Sequence, residues 1–374
     1  MVSPSTRHPW AQRAAQAETA VLWRHHRRLW QLPGTRLGVV GWPPTAKDRV
    51  FGSWHYWWQA HLLDTLVDAQ LRQPRTERVD AITRQIRGHR TRNLGRWTNS
   101  YYDDMAWLAL ALERAGRVAG VRRPKALRTL AAELTRSWMP DAGGGIPWRK
   151  QDQFFNAPAN GPAGIFLARY GNLRRAQQMA DWIEGTLIDP QTHLVFDGIK
   201  GGSLVRAQYT YCQGVVVGLE TELAVRTSDE RHARRVRRLV TAIDQHMAPG
   251  GVLTGAGGGD GGLFAGITAR YLALAATALP GEPDTRRTAR RIVESSAQAA
   301  WDNRCSIDGL ALFGASWGEP AEQPVTAERA RKSDGAVHSS AIAERDLSVQ
   351  VSGWMLLEAA HTVTTGYAHR QQAM

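Results

Sequence analysis

In the stretch NSYYDDMAWLALALERAG (Asn99 to Gly116), Asp103 and Asp104 stand side by side at the front of an apolar helical pattern, after Tyr101 and Tyr102 and ahead of Trp107. Two readings fit them. Acids in a first helical turn offset the helix dipole, and Ser100, three residues before Asp103, has the spacing of a capping box. Alternatively, the carboxylates form a catalytic pair. Neighbours in mid-helix diverge by ~100° and do not face each other. At a helix start both can project past its end into a pocket. Retaining glycoside hydrolysis uses two carboxyls ~5–5.5 Å apart, one as nucleophile and one as proton donor. Two like charges resist joint ionisation, which separates their pKa values as those roles require.

The aromatic inventory favours the catalytic reading. The chain has 15 Trp. GSWHYWWQA supplies Trp54, Tyr56, Trp57 and Trp58, and Trp97, Tyr101, Tyr102, Trp107 and Trp148 follow. Sugar rings present apolar C–H faces that pack on such side chains. Core packing is the expected role of Trp58 and Trp107. It accounts less well for Trp148, which follows Gly-Gly-Gly-Ile-Pro in a loop.

Helical periodicity dominates the elements that must position these residues. Met105, Leu108, Ala109 and Leu112 recur at spacings of three and four, as do Leu239, Val240, Ile243 and Met247. The pattern predicts twelve helices near 9–30, 53–73, 76–94, 102–117, 122–139, 157–171, 173–188, 207–226, 229–247, 261–279, 285–302 and 341–365. No alternating β-branched run predicts a strand. The third, fifth, ninth and eleventh helices are polar and Arg-rich; the even-numbered ones through the tenth are richer in aromatic, Ala and Gly residues. That alternation predicts an all-α toroid with inner and outer rings. The long connectors PDAGGGIPWRKQDQFF, DPQTHLVFDGIKGGSLVRAQYTY and APGGVLTGAGGGDGGLF precede the sixth, eighth and tenth helices, so they are expected on one face over the central hole. The segment Leu310 to Ser340, rich in Gly, Pro, Ser and charge, is read as mobile, and residues 1–374 as a single domain.

Composition removes several functional classes. No run of eighteen apolar residues exists, and the N-terminus reads as a basic amphipathic helix rather than a signal peptide, which predicts a cytoplasmic protein. Cys212 and Cys305 lack metal-like spacing and are expected to be buried and small-apolar in role. The net charge of +13 is spread over many helices, so specific nucleic-acid binding is not expected and a weak attraction to an anionic membrane surface is. GASWG (Gly314 to Gly318) has the G-x-S-x-G spacing but is followed by EPAEQP, which opposes the helix a nucleophile elbow needs. GAGGGDGG (Gly255 to Gly262) lacks the Gly-Lys-Ser/Thr of a phosphate loop, and His25, His26, His55 and His61 lack H-E-x-x-H spacing, so no metal is assigned.

Taken together, YYDDMAWLALAL resembles the double-aspartate motif of glycoside hydrolase family 76, the endo-acting α-1,6-mannanases and their fungal transglycosylase relatives. The likeness runs over most of the chain. WHYWWQAHLLDTLVDA is similar to the family's first inner helix, GGIPWRKQDQFFNAPANGPAGIFLARY to its Gly-Gly-Ile-x-Trp loop and Asn-rich approach to the next inner helix, and VFDGI to its Asp-Gly loop. YTYCQGVVVGLETEL resembles its Tyr-Asn-Gln-Gly helix with Cys212 in place of Asn, and DGGLFAGITARYLALA its Phe-Lys-Gly-Ile segment with Ala265 in place of Lys. The resemblance implies an (α/α)6 barrel that cleaves α-1,6-mannosidic bonds with retention and without a cofactor. Asp103 is then the nucleophile, ionised at the helix N-terminus, and Asp104 the general acid/base, kept protonated by desolvation against Trp107 or Tyr102. Trp148, Asn156, Asp197, Tyr211 and Gln213 would line the sugar subsites, with Trp57, Tyr101, Tyr102, Asp260 and Phe264 as further substrate contacts. The implied partner is an α-mannan oligo- or polysaccharide, including a lipid-linked mannan, bound by a monomer. Two alternatives stay open: a mannan transglycosylase, in which an acceptor sugar rather than water displaces the enzyme, and a non-catalytic carbohydrate-binding or cell-envelope protein, which Cys212 and Ala265 motivate.

Overall fold

Burial decides which helices lie inside. In the computed structural model, which describes residues 9–366 apart from 326, 328–331 and 334–335, six helices are apolar around most of their circumference. These are α3 (Tyr56–Arg72), α5 (Tyr102–Ala119), α7 (Ala157–Arg169), α9 (Thr210–Thr227), α11 (Phe264–Ala278) and α13 (Leu347–Thr365). α7 buries every residue from Ala157 to Ala168. Each packs on the next in sequence, and α13 packs on α3 to close the ring. Helices with one apolar stripe surround them: α1 (Trp10–His25), α4 (Thr76–Arg92), α6 (Pro124–Arg136), α8 (Leu173–Thr186), α10 (Glu230–His246) and α12 (Pro283–Asp302). In α10 the buried stripe is Ala233, Val236, Leu239, Val240 and Ile243, while Arg231, Arg234 and Arg237 face solvent. The result is the expected (α/α)6 barrel. A single-turn helix, α2 (Ala46–Arg49), precedes the first inner helix.

The inner helices approach closely where glycine allows it. A Cβ on Gly214 of α9 would sit 2.6 Å from the Thr268 Cα of α11. At the barrel end away from the helix N-termini, Arg114 of α5 and Arg270 of α11 each bridge Asp64 and Asp68 of α3. Arg169 and Arg226 share Glu222 beside them.

Short strands depart from the all-helical expectation. β1 (His26–Arg27) pairs with β2 (Leu37–Gly38), β3 (Phe154–Asn156) with β4 (Gly198–Lys200) and β4 with β5 (Ser203–Val205); β6 (Cys305–Ile307) pairs with β7 (Leu310–Leu312) and β8 (Lys332–Ser333) with β9 (Ala336–Val337), all antiparallel. Strands of two or three residues are too short to show alternation. β1 also ends α1 at His25 rather than residue 30, where Trp30 and Gln31 take positive φ. Similarly, His55, at φ 44°, starts α3 three residues later than the periodicity suggests. Within the segment read as mobile, residues 310–325 and 336–340 have defined positions, and 326, 328–331 and 334–335 lie outside the described residues. No described helix is long and apolar enough to cross a membrane.

Candidate active site

A cleft of about 950 Å³ opens at the N-terminal ends of the inner helices. Asp103 and Asp104 enter it from the first turn of α5. Ser100 does not cap that helix: the N-cap is Tyr101, it makes no side-chain cap bond, and Ser100 is exposed. Asn99 organises the turn instead. Its Oδ1 accepts the Tyr101 N–H at 2.9 Å, so its NH2 faces Asp104, donating to Oδ2 at 2.5 Å. The loop carrying Trp148 is stitched to the same helix start. Tyr102 N–H donates to the Trp148 carbonyl at 2.9 Å, and Trp148 N–H to the Phe154 carbonyl at 2.7 Å. The loop can fold back because Gly144 and Gly145 adopt φ of 101° and 87° with Trp138 and Trp182 packed against them.

This stitching puts the Trp148 indole N–H on Asp103 Oδ2 at 2.9 Å, while the Asp104 backbone N–H donates to Asp103 Oδ1 at 2.8 Å. Burial nonetheless pushes the Asp103 carboxyl up to about 7; the two donors pull it down and the Asp260 charge adds to the rise. The helix terminus therefore does not keep Asp103 at an ordinary carboxylate pKa as the sequence suggested, because desolvation outweighs it.

Ten of the residues singled out in sequence converge here. Trp57, Tyr101, Asp103, Asp104, Trp148, Asn156, Asp197, Tyr211, Asp260 and Phe264 all border the cleft. Asn156 caps α7, its Oδ1 accepting the Ala159 N–H at 3.1 Å. Asp197 is pushed up to about 6 by burial, with the Cys212 thiol 3.7 Å from its Oδ1 as a weak donor that lowers it. Tyr211 and Phe264 stack with centroids 3.8 Å apart and planes 8° from parallel, forming a flat aromatic wall. Asp260 accepts both the Trp57 and Trp58 indole N–H groups, at 3.1 and 2.9 Å, and the Val337 N–H at 2.6 Å. Trp58 is buried as expected, whereas Trp107, also expected in the core, is buried yet borders the cleft.

Two expected contacts lie elsewhere. Gln213 is fully buried, with its amide committed to backbone: it accepts from Val195 N–H at 2.7 Å and donates to the Val195 and Tyr209 carbonyls at 2.9 and 3.1 Å. It holds the loop leading to Asp197 rather than facing the cleft. Tyr102 turns outward, near Glu133 and Arg136. Conversely, Lys200, Tyr209, His338 and Ser339 border the cleft without having been named as site residues, as does His55, considered in sequence only as a metal ligand. Tyr209 opens the quoted YTYCQG stretch and was legible there; nothing in sequence ties His338 to α5. Cys212 is buried as expected, and Cys305 is only half-buried.

Among known proteins, the family model described as glycosyl hydrolase family 76 matches residues 11–350. No curated protein matches significantly. The fold is similar to that of the GH76A alpha-1,6-mannanase from Salegentibacter sp. HEL1_6, at a TM-score of 0.79 and 26% identity, covering 95% of this chain and 99% of that one. An inactive variant of that mannanase, with two aspartates replaced by asparagine, was solved in complex with alpha-1,6-mannotriose and is equally similar, at a TM-score of 0.79 and 26% identity, with 95% of this chain and 99% of that one covered. Dfg5 from Chaetomium thermophilum, solved in complex with glucosamine, shares the fold at a TM-score of 0.73 and 18% identity, with 95% of this chain and 92% of that one covered.

Proposed function

We propose that this chain, which belongs to glycosyl hydrolase family 76, is a retaining glycosidase that cleaves α-1,6-mannosidic bonds with Asp103 as nucleophile and Asp104 as general acid/base. The observation that carries the reading is the paired carboxyls at the cleft mouth, each with its own fixed donor: the Trp148 indole on Asp103 and the Asn99 amide on Asp104. In support, the mannanase of similar fold binds an α-1,6-mannooligosaccharide when two of its aspartates are asparagines.

In the first step Asp103 attacks the anomeric carbon while Asp104 gives its proton to the departing glycosidic oxygen. Because Asn99 donates to Asp104 Oδ2, the proton rides on Oδ1. In the second step Asp104 takes a proton from the incoming hydroxyl, which attacks the glycosyl-enzyme and restores Asp103. Water as the incoming group gives hydrolysis, and a sugar hydroxyl gives transfer. The Tyr211–Phe264 wall offers a platform for a sugar face, and Asp197 and Asp260 offer acceptors for its hydroxyls.

Product release from linear α-1,6-mannan, with and without an added acceptor mannoside, tests this on wild type, Asp103→Asn and Asp104→Asn, with folding checked by circular dichroism. Turnover lost in both folded variants is the expected result. A mannoside with a good leaving group, needing little protonation, should restore cleavage to Asp104→Asn and not to Asp103→Asn. A folded wild type that binds mannan without turnover, with or without acceptor, would replace the enzyme by a binding protein.

A further inference from the structure

The segments 26–36, 46–52 and 84–97 carry ten Arg or Lys and a single acid, Asp48, in a chain whose net charge is +13. Asp48 is buried and already spent on Arg345 and the cap of α2. These segments are neighbours in space. Trp30 donates its indole N–H to the Val50 carbonyl at 2.8 Å. Arg92 donates to the Phe51 carbonyl at 2.9 Å with its guanidinium over the rings of Trp30 and Trp54. Arg36 N–H reaches the Arg84 carbonyl at 3.0 Å, and Arg87 lies against Gly34.

Most of this charge is free to act outward. Arg27, Arg28, Lys47 and Arg49 are exposed, as are Arg87, Arg90 and Arg96 on and after α4. Among the described residues none of these seven makes an ion pair. Elsewhere ion pairs neutralise part of the surface charge, as where Arg234 pairs with Glu230, Arg237 with Glu282 and Arg291 with Asp244, while exposed cations such as Arg122 before α6 and Arg128 on it stand without the exposed aliphatic tips found here. The basic face also carries apolar side chains at the tips of its turns. Leu94 is 82% exposed and Val50 60%, with Leu32 and Trp30 exposed beside them.

We propose that this face docks the protein on an anionic lipid surface, the cations meeting headgroup phosphates while Leu32, Val50 and Leu94 enter the acyl boundary. Exposed aliphatic tips ringed by cations suit a bilayer interface. A nucleic acid would reward aromatic faces open for stacking, and one face of Trp30 already carries the Arg92 guanidinium. The loop from Val50 on this face leads within five residues to His55 in the cleft, so a docked molecule holds its cleft beside the lipid. The docking face stands independently of the sugar chemistry.

Co-sedimentation of the full chain with phosphatidylcholine vesicles, with and without phosphatidylglycerol, tests the proposal. Binding is expected only to the anionic vesicles and should weaken with salt. Changing Arg28→Glu, Lys47→Glu and Arg49→Glu together should lower partitioning by about 100-fold or more, from the usual contribution of a cation at an anionic surface. The same charge change on α10, Arg231→Glu with Arg234→Glu and Arg237→Glu, should alter it only several-fold. Val50→Ser with Leu94→Ser, which leaves the charge intact, should remove the part of the binding that resists salt. No binding of wild type to anionic vesicles, or equal losses in the two charge-reversed proteins, would overturn the proposal. Tighter binding to duplex DNA, lost by the same patch variant, would reassign the face to nucleic acid.

Discussion

At Asp103 the demands of burial and of nucleophilic attack oppose each other. An attacking carboxylate must be ionised, while its surroundings push the group up to about 7. The kcat/KM for mannan should therefore rise with pH through about 7, with the apparent value belonging to the interacting carboxyls of the cleft, Asp260 among them. Stability should move the other way. A carboxyl whose folded pKa lies above its unfolded value near ~4 contributes stability that is complete below that value and lost as pH rises through about 7. Asp103→Asn should accordingly unfold at a higher temperature than wild type at pH ~8 and show little gain at pH ~4, as thermal melts at the two pH values would reveal. Trp148→Phe keeps the ring and removes the donor that favours the ionised carboxylate. The acid limb should shift to higher pH and kcat/KM at neutral pH fall by roughly 10–100-fold, the usual range for a hydrogen bond to a charged group. Unchanged pH–rate profiles in Trp148→Phe would refute the role given to the indole. Part of this site was legible in sequence: adjacent acids, a helix start and a loop Trp. The identity of the donors was not, because Trp148 lies 45 residues from Asp103 and meets it only when the loop folds back.

Helix spacing carries the site at the next scale. α9 and α11 sit so close that Gly214 meets backbone. Gly214→Ala gains about 1 kcal/mol in helix propensity, but the added methyl has no room, and overpacking typically costs about 1–3 kcal/mol. The net should be destabilising, and because α9 carries Tyr211 and α11 carries Phe264, the aromatic wall should be displaced with it. Chemical denaturation and mannan KM measure the two effects. A stabilised Gly214→Ala protein would show that the helices can separate at little cost. Helix existence and ring membership were readable from periodicity and polarity, since an inner helix is apolar all round and an outer one has a single stripe. The hairpins were not. Their two or three residues per strand hold no pattern, and they form where loops from distant positions meet.

At the end opposite the cleft the whole molecule is tied together by ion pairs that line a second cavity of about 630 Å³. Asp64 would be raised by its burial, but Arg114 and Arg270 hold it down at about 2. Removing one arginine leaves the other alone against two buried acids, a loss of up to about 3–5 kcal/mol, the usual figure for a broken buried pair. Arg114→Met should lower the stability to unfolding by up to that measure at pH ~7 and by less at pH ~2, where protonation relieves the two acids. We read the chain as one domain, and the α13–α3 contact that closes the ring predicts a single cooperative transition, the same by far-ultraviolet circular dichroism and Trp fluorescence. Two separated transitions would divide the domain. By itself the amino-acid sequence determined the ring of twelve helices, the adjacent acids and the aromatic supply, because periodicity, neighbour spacing and residue type are local properties of a chain. Only the tertiary structure decided that Gln213 clamps a loop instead of facing the cleft, that His338 reaches it, that desolvation raises Asp103, and that scattered arginines gather on one face. Burial, electrostatic environment and side-chain partners are set by which distant segments come together, and no local pattern encodes those distances.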